Sequence, residues 1–213
     1  MTKLAIFDVD GTLIDSESIY VKAALLNNKI NNYNVPLNVI MNTIGRNRES
    51  VRQVVIDSQT KDFDYDTYRS KLMEIYNQDS LVLKKGAINI LEYCKNHNIL
   101  SALATSTYKE KQLRILTQLD IAKYFDYMVF GNQIKNSKPA PDIYLNVYNH
   151  YNFKKEDILI FEDSRNGILS AHNAGIKVVY IKDVVDVEKE VVDLTYKSIK
   201  DLDEGIKLLW VNP

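Results

Sequence analysis

Short apolar runs alternate with helix-like patterns over most of the chain. The first run, residues 3–8, is nearly continuous in apolar side chains, as expected for a strand buried on both faces of a parallel sheet. From residue 86 onward, such runs alternate with patterns that repeat every three or four residues. This alternation predicts βαβ units and an open parallel α/β sheet. The further predicted strands are residues 99–104, 127–130, 157–161 and 177–181, and the predicted helices are residues 87–98, 109–119, 142–151 and a segment that ends at Gly175.

Residues 15–83 interrupt that alternation with four consecutive helical patterns. Pro36 suits a first helical turn, Gly45 a C-terminal cap and Asn47 an N-terminal cap. We therefore predict an α/β core formed by residues 1–14 and 84–213, and an inserted helical cap domain formed by residues 15–83. The predicted cap helices are residues 16–27, 36–43, 47–58 and 64–77, with a loop over the asparagine-rich residues 27–34.

The composition is that of a soluble globular enzyme, with 46% apolar and 26% charged residues. Because 27 basic side chains face 28 acidic ones, the charge gives no indication of nucleic-acid binding or of a polybasic membrane anchor. No apolar run reaches the roughly 18 residues of a membrane-spanning helix. Cys94 is the only cysteine, so we expect a structural thiol and a reducing, cytoplasmic environment.

Two carboxylates follow the first predicted strand, in Asp8-Val9-Asp10-Gly11-Thr12-Leu13. Ligands of open α/β sheets bind at the carboxyl ends of the strands. A pair of acidic groups beside a buried strand is costly without a cation or hydrogen bonds. Since Mg²⁺ prefers oxygen ligands, this string is a candidate magnesium site.

Three further polar clusters lie at or after predicted strands. Thr105 and Ser106 offer hydroxyl and backbone N–H groups that suit phosphate oxygens. Lys138 lies in a loop that the following prolines restrict, and a second acidic pair, Glu162 and Asp163, ends another strand. Taken singly, each cluster has an ordinary structural explanation as a turn, a helix cap or an exposed lysine. Their succession along one sheet edge argues for a common site.

With their flanking residues, these clusters extend to four longer strings: Phe7-Asp8-Val9-Asp10-Gly11-Thr12-Leu13-Ile14-Asp15-Ser16-Glu17, Ala104-Thr105-Ser106, Ser137-Lys138-Pro139-Ala140-Pro141-Asp142, and Phe161-Glu162-Asp163-Ser164 followed by Gly167, Ala171, Ala174 and Gly175. The set resembles the haloacid dehalogenase-like (HAD) hydrolase superfamily. The resemblance is closest to the branch with a helical cap after the first strand, which includes β-phosphoglucomutase-like and phosphoglycolate-phosphatase-like enzymes. It implies a Rossmann-like parallel sheet core with that cap inserted.

The resemblance also implies roles for individual residues. Asp8 would attack phosphorus and become an aspartyl-phosphate, while Asp10 would act as general acid and then general base. Thr105 would hydrogen-bond a phosphoryl oxygen with help from the Ser106 backbone N–H. Lys138 would supply positive charge and steady Asp8.

The metal implied by the resemblance is Mg²⁺. Asp8, the backbone carbonyl of Asp10 and Asp163 would hold it, with Glu162 nearby or acting through water. Halide-removing members of the superfamily manage without this metal site, so the Glu162-Asp163 pair, together with Asp10, favours phosphate chemistry.

The expected reaction is hydrolysis of a small phosphate monoester, either a sugar phosphate or the phosphate of a short organic acid. Mutases of this branch carry a histidine on the first cap helix where this chain has Tyr20. Arg48, however, lies near the cap position that binds a second phosphate in the mutases, so a sugar phosphomutase remains the alternative. We expect a monomer or weak dimer that binds a small phosphorylated substrate.

Alternatives of another class are a phosphorylation-dependent binding module and an inactive, binding-only relative. Receiver domains also place acidic residues, a hydroxyl and a lysine at strand ends. They are shorter, phosphorylate an aspartate on a central strand and lack a helical insertion. An inactive relative is disfavoured because every core catalytic position is filled.

Overall fold

A computed structural model describes residues 2–46, 48–78 and 81–209. Its described residues form two compact units, one running up to Asp15 and from Val82 onward, the other Ser16–Leu81. The predicted boundaries fall within two residues of this division. None of the helices in the described ranges combines the length and the apolar character needed to cross a membrane.

A parallel sheet forms the larger unit. Within the described residues it has six strands in the order β3-β2-β1-β4-β5-β6, and every neighbouring pair is parallel. The predicted parallel α/β fold is therefore confirmed. The strands are β1 (Leu4–Phe7), β2 (Leu100–Thr105), β3 (Tyr127–Phe130), β4 (Ile158–Glu162), β5 (Lys177–Ile181) and β6 (Lys197–Ile199).

The strands β1 and β4 are buried along their whole length, which shows that they lie at the centre of this unit. The rings of Phe7 on β1 and Phe161 on β4 stack with their centroids 5.0 Å apart. The α-helices of this unit are α5 (Ala87–Asn96), α6 (Lys109–Gln118), α7 (Asp142–His150), α8 (Arg165–Ala174), α9 (Lys189–Val192) and α10 (Leu202–Leu209).

Local chemistry explains where α8 begins and ends. The Ser164 hydroxyl accepts a hydrogen bond from the Gly167 N–H and caps the first turn, and Gly175 ends the helix in the left-handed conformation. Cys94 is buried in α5, where burial raises the pKa of the thiol to about 12. The thiol is therefore protonated at neutral pH, as expected of a structural cysteine.

The smaller unit is helical, as predicted, and has its own apolar core. Its helices are α1 (Ser16–Asn31), α2 (Leu37–Thr43), α3 (Arg48–Asp57) and α4 (Tyr65–Gln78). Pro36 caps α2 rather than occupying its first turn, and the predicted cap Asn47 lies outside the described residues. The core consists of Ala24, Val35, Ile40, Val51, Val55, Tyr65, Tyr68 and Leu72.

The predicted loop over residues 27–34 is wrong at its start, because α1 continues to Asn31. Asn27 is fully buried, and its side-chain amide donates to the backbone carbonyl of Tyr68, 3.1 Å away. Asn31 in turn donates to the Asn27 side chain at 2.9 Å. These bonds satisfy polar groups that would otherwise favour a loop.

Candidate active site

The predicted clusters meet at the carboxyl ends of β1, β2 and β4. The backbone N–H of Asp8 donates to the Phe161 carbonyl at 3.0 Å, so the residues after β1 lie beside the acidic end of β4. Gly11 turns the chain with φ of +83°. A Cβ atom there would lie 2.2 Å from Asp163 Oδ2. Glycine is therefore needed both for the backbone conformation and for space.

Lys138 joins two of the acidic strand ends. Its Nζ donates to Asp8 Oδ1 and to Glu162 Oε1, each at 2.6 Å, and to the Ala104 carbonyl at 3.3 Å. These three acceptors match the three protons of the ammonium group. Burial acts to lower the lysine pKa, but the charges and hydrogen bonds of Asp8 and Glu162 outweigh it and raise the pKa. Lys138 therefore stays protonated, and its positive charge lies next to the Asp8 carboxylate.

Three buried carboxylates lie close enough to share a cation. One oxygen from each of Asp8, Glu162 and Asp163 lies within 4.8 Å of the other two. Burial raises the pKa of Asp8 to about 7, opposed by the charge of Lys138 and reinforced by that of Glu162. Burial, followed by the charges of Glu162 and Asp8, also raises the pKa of Asp163 well above its usual range. A divalent cation would relieve this concentration of negative charge, so the residues present fit Mg²⁺.

The hydrogen bonds of Glu162 are consistent with its expected place, near the cation or linked to it through water, which stays a prediction. The residue is fully buried. Its Oε2 accepts from the backbone N–H groups of Asp163 and Ser164 and from the Ser164 hydroxyl, each at 3.1 Å. Its Oε1 accepts from Lys138, as described above. Protein donors therefore already occupy both carboxylate oxygens.

Asp163 is held differently. The buried hydroxyl of Thr12 donates to Asp163 Oδ1 at 2.6 Å. This bond links the loop after β1 to the end of β4. It orients the carboxylate through Oδ1.

Hydroxyl groups at and just after the end of β2 complete the cluster. Thr107 donates its hydroxyl to Asp10 Oδ2 at 2.8 Å, which ties the proposed acid/base to the second cluster. The Thr105 side chain is buried, and its Oγ1 accepts from the Thr107 N–H at 3.1 Å. Within the described chain the Thr105 hydroxyl donates no bond, so its proton remains available to a ligand oxygen. Ser106 is exposed directly beyond β2.

Comparison with known proteins identifies the family. A family model for haloacid dehalogenase-like hydrolases matches residues 5–181, which include all four clusters. The chain belongs to the haloacid dehalogenase-like hydrolase family. The resemblance that the sequence motifs indicated is therefore confirmed.

Named relatives of this HAD protein include phosphatases. It is 36% identical over 181 residues to the phosphorylated carbohydrates phosphatase of Thermotoga maritima, covering 82% of each chain. It is 27% identical to (DL)-glycerol-3-phosphatase 2 of Arabidopsis thaliana, covering 92% of this chain and 87% of the relative. A crystal structure described as a "putative beta-phosphoglucomutase" from Thermotoga maritima superposes with a TM-score of 0.81 at 28% identity, covering 98% of both chains.

Sequence reasoning missed one residue that lies in direct contact with the cluster. Tyr144 on α7 is fully buried, and its hydroxyl donates to Glu162 Oε1 at 2.7 Å. Its place on the buried face of α7, between Ile143 and Val147, is typical of ordinary core packing. Only the sheet order shows that this face meets the end of β4.

Sequence reasoning also missed a pair of charged residues near Gly11. Lys84 and Asp183 form a largely buried salt bridge through Asp183 Oδ1. The other carboxylate oxygen of Asp183 is buried and has no hydrogen-bond partner in the described structure. It would lie 2.9 Å from a Cβ atom on Gly11, on the same side as Asp163. Nothing in the strand and helix pattern distinguishes these two residues from ordinary surface charges.

The cap residues singled out in the sequence lie in the helical unit. Arg48 begins α3 and lines a cavity of about 420 Å³ together with Glu49, Arg52, Tyr65 and Asp66. Arg46, two residues before Arg48, donates to the backbone and side-chain oxygens of Asn42, at 2.6 and 2.8 Å. A substrate-binding role for Arg48 stays a prediction.

Proposed function

We propose that this HAD protein is a magnesium-dependent phosphatase that hydrolyses a small phosphate monoester through a phosphorylated Asp8. The observation that carries the proposal is the bond from Lys138 to Asp8. It holds a buried carboxylate at a strand end, 2.6 Å from a fixed ammonium group and two residues before Asp10. A carboxylate in this setting is a nucleophile that needs no deprotonation by a base once it is ionised.

In the first step, an Asp8 carboxylate oxygen attacks phosphorus. The bond from phosphorus to the ester oxygen breaks, and Asp10 donates its proton to the departing alcohol. Lys138 balances the charge of Asp8 while an anionic phosphoryl group approaches. The Thr105 hydroxyl donates to a phosphoryl oxygen.

In the second step, water attacks the phosphorus of the aspartyl-phosphate. Asp10, now ionised, accepts a proton from that water, and the bond between phosphorus and Asp8 breaks. Inorganic phosphate leaves, with Asp8 again a carboxylate and Asp10 again protonated. The Thr107 hydroxyl keeps the Asp10 side chain in one orientation through both steps, since it bonds Oδ2.

Asp8, Asp163 and the backbone carbonyl of Asp10 would hold Mg²⁺, with Glu162 as a neighbour. When bound, the cation neutralises charge on the transferring phosphoryl group. Thr12 contributes by fixing the Asp163 carboxylate.

The proposed substrate class rests on the relatives. The names of the Thermotoga and Arabidopsis relatives refer to phosphorylated carbohydrates and to glycerol-3-phosphate. A sugar phosphate or the phosphate of a short organic acid is therefore the substrate that we propose.

A mutase is the second candidate, because the Thermotoga structure described as a "putative beta-phosphoglucomutase" matches 98% of this chain. Tyr20, at the position of the mutase histidine, disfavours it. The Tyr20 ring packs against Tyr76 with centroids 6.3 Å apart, and burial raises the pKa of its hydroxyl. Such a hydroxyl cannot serve as a base at neutral pH. Formation of an isomerised sugar phosphate that depends on a bisphosphate primer would favour the mutase.

The test is phosphate release from a panel of sugar and organic-acid phosphates, with and without Mg²⁺. Asp8→Asn keeps the side-chain shape but removes the nucleophile, so we expect turnover to fall roughly 10³-fold or more. Asp120→Asn is the matched control, since Asp120 is exposed and pairs only with Lys123 in the described structure. Wild-type turnover by the Asp8→Asn variant would remove Asp8 from the proposed role.

A further inference from the structure

Tyr144 contacts two members of the catalytic cluster at once. Its hydroxyl donates to Glu162 Oε1 at 2.7 Å, and Lys138 Nζ lies 5.0 Å from the centroid of its ring. The tyrosine is fully buried on α7, and the side chain of Lys138 is 6% exposed. An ammonium group over an aromatic ring face is attracted electrostatically, and more strongly when both are removed from water.

The tyrosine hydroxyl shares its acceptor with the lysine. Glu162 Oε1 receives bonds from both Tyr144 and Lys138, while Oε2 is occupied by the start of α8. Without the tyrosine bond, the full charge of Oε1 would face Lys138 alone. The ammonium would then be drawn toward Glu162 and away from Asp8.

Packing alone does not explain a tyrosine at this position. The neighbouring buried residues of α7, Ile143 and Val147, are apolar and belong to the same core cluster. A phenylalanine would fill nearly the same volume without burying a hydroxyl, which is costly unless that hydroxyl is bonded. The hydroxyl therefore has a specific partner, and that partner is the carboxylate that holds Lys138.

We propose that Tyr144 is a positioning residue for phosphoryl transfer, which keeps Lys138 on Asp8 by restraining Glu162 with its hydroxyl and supporting the ammonium with its ring. The inference rests on the proposed function. Tyr144 does not touch the substrate, and it acts through the distance between Lys138 Nζ and Asp8. It therefore affects the charge balance in the transition state more than the binding of the ester.

The first test is Tyr144→Phe, which keeps the ring and removes the hydroxyl. We expect kcat to fall about tenfold with KM changed less than about twofold, since the lost interaction matters mainly in the transition state. Tyr127→Phe is the matched control, because Tyr127 also donates its hydroxyl to an α7 side chain, Asn146 Oδ1, at 3.0 Å. Equal kcat values for wild type and Tyr144→Phe would overturn the inference.

The second test separates positioning of Lys138 from a general structural effect. Binding of orthovanadate in the presence of Mg²⁺ is measured by calorimetry for wild type, Tyr144→Phe, Lys138→Met and the double variant. Tyr144→Phe should weaken vanadate binding about tenfold when Lys138 is present and less than about twofold when it is methionine. The same weakening in both backgrounds would show that Tyr144 does not act through Lys138.

The two proposals can fail separately. Wild-type turnover by the Asp8→Asn variant would contradict the proposed function, whatever the result for Tyr144→Phe. Loss of turnover in Asp8→Asn, combined with wild-type behaviour of Tyr144→Phe, would leave the phosphatase proposal intact and remove only the role of Tyr144. Thermal unfolding of each variant shows whether a loss of activity reflects a loss of folded protein.

Discussion

The metal-free protein should become less stable as the pH rises from about 4 to about 7. The reason is the raised pKa of Asp8, which moves from 3.8 to about 7 on folding, chiefly through burial. Across this interval the folded chain keeps a proton on Asp8 that the unfolded chain has already released. The folded state then binds more protons than the unfolded state, so its stability falls as the pH rises.

The size of the effect follows from the shift. One pKa unit corresponds to about 1.4 kcal/mol, so Asp8 alone accounts for about 4 kcal/mol of unfolding free energy across the whole interval. Between pH 5 and pH 7.5 the expected loss is between about 2 and 3 kcal/mol. Asp163 acts in the same direction, because its pKa is also raised. The lowered pKa values of Asp64 and Asp201 belong to a lower pH range and do not oppose the trend.

Urea unfolding followed by circular dichroism, in the presence of a chelator, measures the effect at the two pH values. Asp8→Asn is the comparison variant, since its amide does not titrate and its neutrality also relieves Asp163. We expect a clearly smaller loss for this variant. Added Mg²⁺ should stabilise the wild type more at pH 7.5 than at pH 5, because the cation needs ionised ligands. Equal pH dependence of wild type and variant would refute the explanation.

Two substitutions outside the proposed catalytic residues test how the site is supported. Gly167→Ala would place a Cβ atom 1.8 Å from Glu162 Oε1. The substitution should therefore displace that carboxylate and lower turnover at least about tenfold. Wild-type turnover by this variant would contradict the geometry. Lys84→Met should destabilise the chain by about 3 kcal/mol in urea unfolding, because it leaves Asp183 buried without its cation. Most of that loss should be recovered in Lys84→Met/Asp183→Leu, and a failure to recover would show that Lys84 stabilises by packing.

The sequence predicted the elements whose pattern is local. The continuous apolar run of β1 needs no knowledge of its neighbours, and Gly175 marks the end of α8 by its own chemistry. The predicted strands and helices therefore agree with the structure to within a few residues, apart from the extension of α1. The four polar clusters were found for the same reason, since each follows a strand that the pattern had already located.

The elements that were missed lack such a pattern. In the three-residue edge strand β6 only Ile199 is buried, which is too little to show a period. The buried face of α10 includes Gly205, which packs against Phe161 and interrupts the apolar repeat. Tyr144 was missed because its partner, Glu162, lies 18 residues away and becomes its neighbour only through the sheet order.

The position of the site follows from the sheet order. The chain builds β1, β2 and β3 toward one edge, then returns to place β4 on the other side of β1 and continues toward the opposite edge. The direction of winding therefore reverses between β1 and β4, and such a reversal opens a crevice at the carboxyl ends of the two strands. Asp8 follows β1, and Glu162 ends β4. The two carboxylates stand on either side of this crevice, and Lys138, from the segment between β3 and α7, bonds both of them. One lysine can serve both carboxylates because the sheet reverses at this point, so the charge balance at Asp8 depends on the topology as much as on the motifs.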